Sequence, residues 1–167
     1  MVDLKNKLLR LLDENAKYTY AQLSAMTGAK EELVSKAIAE LEESGVIVKY
    51  SAIINTEAIE GNKKVNALIE VKVAPQKLKG FDSYAEQIYQ FNEVKSLYLM
   101  SGVFDLAVFV EGNSITDIAT FVSEKLSVID GITSVQTHFI LKRYKIEGHV
   151  TKQGEEKRQI VQAWEIF

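Results

Sequence analysis

A single acidic residue, Asp105, interrupts the otherwise apolar run from Val103 to Val110. A carboxylate removed from water is costly unless a cation or hydrogen-bond donors satisfy it. Asp105 could therefore accept the ammonium group of a small ligand. The alternatives are that it caps a hairpin between two strands or pairs with a lysine across a subunit interface.

The residues next to Asp105 could complete a small binding site. A turn at Ser101-Gly102 exposes backbone N–H groups, which together with that of Val103 could hold a carboxylate in an anion-binding nest. Met100 and Phe104 could line a pocket for a side chain, and Thr137 of a later strand could reach the same pocket. The expected site residues are Met100, Ser101, Gly102, Val103, Phe104, Asp105 and Thr137.

The elements around this site alternate in the order β-α-β-β-α-β, which is typical of a ferredoxin-like domain. The two-residue spacing at Ser101-Gly102 predicts a tight hairpin between the second and third strands. The predicted strands cover residues 65–74, 94–100, 103–110 and 132–141, and the predicted helices cover 81–91 and 115–126.

Both helices of a ferredoxin-like domain cover the same face of its sheet. Residues 97–100 and 106–110 are apolar on both faces of their strands, so the second face also needs a cover. A second copy of the same sheet, packed by a two-fold contact, is the simplest cover, and we expect a homodimer. The alternative is that the chain after Leu141, with its apolar stretch 160–167, folds back over its own sheet.

The first 54 residues predict three helices and a strand. The first helix is indicated by an apolar stripe at helical spacing, Leu4, Leu8, Leu11 and Leu12. Thr19 is a good N-cap for a short helix over 20–27, Gly28 ends it, and a third helix spans about 30–44 before a strand at 46–54. This order is typical of a winged helix-turn-helix, and a small helical bundle without a DNA partner is the alternative.

The second helix of a helix-turn-helix lies in the major groove of DNA. In this chain that helix is the third predicted one, at about 30–44. Ser35 and Lys36 lie opposite its apolar stripe, and Lys30 lies at its start, where phosphates of the DNA are expected. The alternative is an ordinary solvated face with a Glu32–Lys36 pair. The expected DNA-binding residues are Thr19, Tyr20, Lys30, Ser35, Lys36 and Lys49.

The composition excludes several classes of site. With no cysteine and two histidines among 167 residues, thiolate metal sites, iron–sulfur clusters and disulfides are impossible, and a histidine-rich metal site is not expected. The chain carries neither Gly-x-Gly-x-x-Gly nor Gly-Lys-Ser/Thr, so we expect no catalysis and no cofactor. Without a signal-peptide pattern or an apolar stretch approaching about 20 residues, we expect a cytoplasmic protein with no membrane partner.

In combination, these patterns resemble the Lrp/AsnC family of feast/famine transcriptional regulators. Single motifs are weak, but their order and spacing are specific over about residues 3–145. The matching stretches are 41–47 and 50–52 for the end of the recognition helix and its strand, 101–105 for the Gly-x-Tyr/Phe-Asp hairpin, and 131–132 with 137–142 for the last strand.

The resemblance implies an α+β protein and an amino-acid-responsive regulator of transcription that binds double-stranded DNA. It implies that the effector binds between sensing domains near residues 101–105 and changes oligomeric state and DNA affinity. It also implies that dimers form through the sheets and that four such dimers often assemble into an octamer. The expected domains are a winged helix-turn-helix at 1–54, a linker at 55–64, a ferredoxin-like sensing domain at 65–145 and an unassigned tail at 146–167.

One departure from the family concerns charge. Family members commonly carry arginines at positions matching Ala37 and Glu40, and residues 1–54 here hold seven basic and eight acidic side chains, a difference of −1. Because phosphate neutralisation supplies most non-specific DNA affinity, one such head should bind weakly, although several heads on one body gain avidity. The alternative function is a metabolite sensor that does not bind DNA and acts through a protein partner.

Overall fold

The computed structural model describes residues 2–74 and 80–151. The chain divides after Ile54 into two compact units, which are taken in turn. Within the described residues, no helix is both long and apolar enough to cross a membrane.

The first unit contains three helices, α1 (Val2–Glu14), α2 (Tyr20–Thr27) and α3 (Glu31–Glu43). Each of them contributes apolar side chains to one small core. The fully or almost fully buried members are Leu8 of α1, Leu23 of α2, and Val34, Ala37 and Ile38 of α3. The predicted stripe of α1 therefore faces the core as expected, with Leu4, Leu11 and Leu12 packed around Leu8.

Both ends of α2 are set by local sequence. Thr19 and Gln22 form a reciprocal capping box, in which the Gln22 N–H donates to the Thr19 hydroxyl and the Thr19 N–H donates to the Gln22 side chain. Gly28 ends α2 in the left-handed conformation at φ 73°, which glycine adopts without the Cβ penalty of other residues. Lys30 then precedes the first turn of α3.

The strand predicted at 46–54 is wrong. These residues follow α3 without a partner strand among the described residues, and an isolated extended segment has no ladder to join. Two contacts hold the segment to the end of α3 instead. The Ile47 N–H donates to the Leu41 carbonyl at 3.0 Å, and the Tyr50 hydroxyl donates to the Glu42 carboxylate at 2.8 Å.

The second unit contains a four-stranded antiparallel sheet with two helices. Its elements are β1 (Val65–Val73), α4 (Phe81–Ile88), β2 (Val94–Leu99), β3 (Leu106–Gly112), α5 (Ile115–Phe121) with a π-helical turn at Val122–Leu126, and β4 (Ile132–Phe139). The strand order β2-β3-β1-β4 is the ferredoxin-like order. The predicted fold class is therefore confirmed.

Strand β1 lies at the centre of the sheet, and alternate residues of it enter the core. Ala67, Ile69 and Val71 are fully buried beneath the helices, where Tyr84 and Ile88 of α4 cover them together with residues of α5. Phe81, which the predicted helix 81–91 suggests as part of this face, is 41% exposed, because it stands in the first turn of α4.

The tight hairpin predicted at Ser101-Gly102 is also wrong. Strand β2 ends at Leu99 and β3 begins only at Leu106, so the connection comprises residues 100–105. The Met100 N–H donates to the Asp105 carbonyl at 2.8 Å, which closes the loop at its base.

Two short elements flank the sheet in sequence. Thr56–Ala58 forms a single 3₁₀ turn capped by the Asn55 side chain, within the stretch predicted as a linker. After β4, the strands β5 (Lys145–Ile146) and β6 (His149–Val150) form a small hairpin. The Glu57 carboxylate accepts a hydrogen bond from the Arg143 N–H at 2.8 Å and so links the turn to the segment that leads into the hairpin. Residues 152–167 of the predicted tail lie outside the described residues.

A substitution at Gly131 can probe how tightly α4 packs on the sheet. A Cβ at Gly131 would lie 2.9 Å from ring carbons of the buried Tyr84, at a φ of +93°. We expect Gly131→Ala to lower the free energy of unfolding by about 2–4 kcal/mol, through overpacking and left-handed strain together. Chemical denaturation monitored by circular dichroism measures this.

Gly61→Ala is the matched control, because Gly61 has a φ of +76° but open space around its Cβ position. It should cost only about 1–2 kcal/mol from the backbone term. Equal losses in the two variants would contradict the packing of Tyr84 described above.

Candidate DNA-binding and effector-binding sites

The outer face of α3 presents few of the expected DNA-binding residues at full exposure. Lys36 is exposed and Ser35, next to it, is half-buried. Both lie outside the buried stripe that includes Val34 and Ala37. Lys30 occupies the N-cap position of α3 and makes no side-chain capping bond there. These three residues share the first half of the helix, the part that reaches base edges and nearby phosphates in helix-turn-helix proteins.

The remaining expected DNA-binding residues lie around α3. The Thr19 hydroxyl is engaged in the capping box of α2, and Tyr20 in the first turn of that helix is 44% exposed. Lys49 is exposed in the segment that follows α3. Thr19 therefore has a structural role, whereas the exposed Tyr20 and Lys49 are accessible for a contact with DNA.

The two positions that correspond to family arginines are accounted for by packing and pairing. Ala37 is 7% exposed and belongs to the core, so a long side chain would not fit there without rearrangement. Glu40 forms an ion pair with Lys5 of α1 at 2.8 Å. The hydrogen bond and the charge of Lys5 lower the pKa of Glu40 below its ordinary value, and the charge of Lys36 adds to this.

The acidic side chains near the end of α3 are partly engaged as well. Glu42 accepts the hydroxyl of Tyr50, and burial together with this carboxylate raises the pKa of Tyr50 to about 12. Glu31 and Glu32 lie in the first turn of α3, where the helix dipole favours negative charge. The Lys5–Glu40 pair therefore offsets one acidic side chain of this face, and the net charge of residues 1–54 stays at −1.

In the second unit, the loop of residues 100–105 is the candidate effector site. Met100 is 41% and Val103 82% exposed, and Ser101 and Gly102 are exposed too. Phe104 and Asp105 are half-buried at the base of the loop. The structure therefore brings six of the seven expected effector residues together on one projecting loop.

The Asp105 carboxylate caps the edge of the central strand. Its Oδ2 accepts a hydrogen bond from the Val73 N–H at 2.9 Å, and the Asp105 N–H donates to the Val71 carbonyl at 3.0 Å. The β1–β3 ladder ends at Val71, so the side chain replaces the next ladder acceptor. Among the described residues, no hydrogen bond or ion pair reaches the second carboxylate oxygen, and that oxygen can accept a further donor.

Thr137 is not brought to the loop within one chain. It lies opposite Ile69 in the middle of β4, on the helix-covered face of the sheet, and is half-buried there. Strand β1 separates β4 from β3 and the 100–105 loop. No group of three or more acidic or histidine side chains among residues 2–74 and 80–151 is placed to hold a metal ion.

The face of the sheet opposite the helices, here called the open face, is partly apolar. Tyr98 and Phe109 stack edge to face on it, with ring centroids 5.9 Å apart, and Leu68 lies opposite Phe109 in the ladder. Towards β4 the same face carries His138, whose Nε2 lies 3.3 Å from the Glu70 carboxylate.

The chain after Leu141 covers one end of the open face. A cavity of about 500 Å³ separates Tyr98 and Phe109 from Arg143, Ile146 and Glu147. The fold-back that was the alternative to a dimer is therefore present in part, but Tyr98 remains 54% exposed.

The sequence matches two families. Residues 1–48 match a family of winged helix-turn-helix DNA-binding domains, and residues 66–150 match the Lrp/AsnC ligand-binding domain. The HTH-type transcriptional regulator YugG of Bacillus subtilis is 44% identical over 161 residues, which cover 96% of this chain and 97% of YugG. The HTH-type transcriptional regulator LrpA of Pyrococcus abyssi is 32% identical over 87% of this chain and all of LrpA (100%).

A solved structure shows the same fold. The transcriptional regulator of Neisseria meningitidis solved as a complex with L-methionine superposes with a TM-score of 0.67 at 24% identity, covering 90% of this chain and 94% of that one. The helix-turn-helix unit and the ferredoxin-like sheet lie in the parts of the chain that match the two family models, so the structure and the matches support the same assignment for this chain. It belongs to the Lrp/AsnC family and is a DNA-binding transcriptional regulator of the Lrp/AsnC type.

Proposed function

We propose that this regulator responds to an amino acid bound at the 100–105 loop, between sensing domains of different chains, and that binding changes oligomeric state and DNA affinity. The observation that carries the proposal is Asp105, a half-buried carboxylate with one oxygen bonded to Val73 and the other available. As a cytoplasmic regulator, the protein would sample the free amino-acid pool directly.

The loop offers complementary groups for an amino acid. The free oxygen of Asp105 can accept the ammonium group, and the exposed backbone around Ser101 and Gly102 can donate to the carboxylate. Val103 is 82% exposed although it is apolar. An apolar side chain at the tip of a binding loop favours closure by a second chain.

Pairing of two open faces would form the dimer. Tyr98, Phe109 and Leu68 supply an apolar centre, and the Glu70–His138 pair supplies a polar side, so the surface can be self-complementary about a two-fold axis. The resemblance to the family further favours assembly of such dimers into an octamer. Multiple heads on one body would offset the weak charge of each head.

The outer face of α3 would lie in the major groove, with Ser35 and Lys36 towards the DNA and Lys30, Lys49, Thr19 and Tyr20 around them. The Lys5–Glu40 pair favours this function over a sensor that acts only through a protein partner, because the Lys5 ammonium group offsets one negative charge of the face.

Lys36 should act as a phosphate contact. We expect Lys36→Ala to weaken binding to all duplexes alike and to reduce the slope of log K against log salt by about 0.9, the loss of one phosphate contact. Titration of fluorescent duplexes from around the protein's own gene, between low and moderate salt, measures both quantities. Lys7→Ala is the matched control, since Lys7 is exposed on α1 and pairs with Asp3. A loss confined to one sequence would instead make Lys36 a base contact, and no duplex binding by the unaltered protein would favour the protein-partner function.

Lys5 should keep the DNA face of α3 from becoming more acidic. We expect Lys5→Ala to raise the pKa of Glu40 back towards its ordinary value and to weaken DNA binding. The stabilisation from this pair is present above the ordinary pKa of glutamate and is lost as pH falls through the lowered pKa. NMR titration of Glu40 and duplex titration measure the two effects.

The double variant Lys5→Ala/Glu40→Ala separates pairing from direct contact. If Lys5 acts through Glu40, the second substitution restores DNA affinity. If affinity stays low, Lys5 contacts the DNA itself and the electrostatic role assigned to the pair is wrong.

Two substitutions separate the two roles of Asp105. Asp105→Asn keeps an oxygen for the Val73 N–H but removes the charge, so we expect near-normal stability and about 10- to 100-fold weaker binding of the effector. Asp105→Ala should also lower the free energy of unfolding by about 1–3 kcal/mol, since it leaves the Val73 N–H without its acceptor.

Calorimetry with single amino acids measures the affinity, with L-methionine first because a structurally similar regulator was solved with it. Thermal unfolding measures the stability of each variant. Undiminished affinity in Asp105→Asn would show that the carboxylate does not bind the ammonium group, and the effector site would then have to be sought elsewhere.

A further inference from the structure

Strand β2 leaves one edge of the sheet exposed. Among the described residues it pairs with β3 alone, so the backbone groups on its outer edge have no strand partner there. Two of its apolar side chains are largely exposed, Tyr98 at 54% and Leu99 at 60%. An uncovered apolar edge of this kind is a template for a further strand.

A cleft runs beside the same edge on the helix-covered side. It has a volume of about 340 Å³ and is lined by Phe81, Tyr89, Leu97 and Leu99 among others. Phe81 and Tyr89 are 41% and 57% exposed, so the rim of the cleft is aromatic and accessible. A strand laid along β2 would direct alternate side chains into this cleft and towards the open face.

The sequence contains a segment suited to this edge. Residues 160–167, which lie outside the described residues, include six apolar side chains out of eight, among them Trp164, the only tryptophan of the chain. The polar stretch 152–159 separates this segment from the last described residue. The segment also lies beyond residues 66–150, the part that matches the ligand-binding domain of the family.

The segment begins close enough to β2 to reach it. Thr151 is held at the base of the β5–β6 hairpin, where its N–H donates to the Tyr144 carbonyl at 3.1 Å and its hydroxyl to the Arg143 carbonyl. Arg143 lines the same cavity as Lys95 and Ser96 of β2. Eight linking residues extend up to about 26–29 Å, whereas a six-residue strand is about 20 Å long.

The charges of the two partners are complementary. Lys95 is the only charged residue of β2, and Glu165 is the only charged residue of the segment 160–167. Opposite charges on neighbouring strands stabilise their pairing, whereas like charges would oppose it.

We propose that residues 160–167 bind along the outer edge of β2 in the same chain, as an added strand that places Trp164 in the cleft beside α4. The segment would thereby shield an apolar edge that would otherwise pair with other chains. The proposal is independent of the effector and of DNA.

Trp164 reports on this contact directly, because it is the only tryptophan. We expect the unaltered protein to show blue-shifted tryptophan emission and weak quenching by acrylamide. Leu99→Lys should shift the emission to that of a solvent-exposed indole and increase quenching several-fold, since it places a charge in the cleft. Leu141→Lys is the matched control, because Leu141 is 95% exposed and does not line the cleft.

A second variant guards against misfolding. Tyr89→Lys alters the opposite rim of the cleft and should have the same effect as Leu99→Lys, and circular dichroism checks that each variant is folded. Solvent-exposed emission in the unaltered protein, or protected emission in both cleft variants, would overturn the proposal.

Mixed assemblies test whether the contact lies within one chain. The Leu99→Lys protein is co-expressed with a chain that ends at Thr151, which has no tryptophan but an intact β2 edge. We expect the emission to remain that of an exposed indole. Recovery of the blue shift would show that the segment binds the β2 of another chain, and the same-chain proposal would be wrong.

Discussion

The second unit depends on the central strand β1, which must satisfy the hydrogen bonds of both of its edges and bury one of its faces. It pairs with β3 on one side and β4 on the other, and its inward residues Ala67, Ile69 and Val71 are fully buried. Where the β3 ladder stops, the Asp105 carboxylate takes over as the acceptor for the Val73 N–H. The same bond that closes the sheet therefore holds the candidate effector loop in place, so a ligand that binds Asp105 as proposed would also act on the strand end.

The four-stranded sheet has more apolar surface than its two helices can cover. Part of the open face is covered by the segment after Leu141, around a cavity bordered by Arg143 and Ile146, and the Tyr98–Phe109 pair remains accessible. The outer edge of β2 is a separate surface, and we propose that residues 160–167 cover it. The proposed pairing of open faces and the proposed binding of residues 160–167 at the β2 edge would use different surfaces of one sheet and need not compete.

In the helix-turn-helix unit, charge is arranged by pairing rather than by composition. Lys5 of α1 neutralises Glu40 of α3, and Tyr50 engages Glu42 at the end of that helix. The remaining acidic residues of α3 that stand in its first turn stabilise the helix start. On this helix, Lys36 therefore lies near an acidic side chain, Glu40, whose charge Lys5 offsets.

The sequence by itself determined the helices and strands of the second unit and their ferredoxin-like order, because apolar periodicity and turn residues act locally, and its motifs in order carried the resemblance to the family. Only the tertiary structure decided that 46–54 forms no strand and that the β2–β3 connection has six residues, since both depend on whether a ladder partner is in reach. Phe121 and Leu126 are both buried five residues apart through the π turn, a spacing that regular helix periodicity does not predict. The Lys5–Glu40 and Asp105–Val73 contacts join residues more than thirty positions apart. Such contacts arise from packing of whole elements, so no local pattern encodes them.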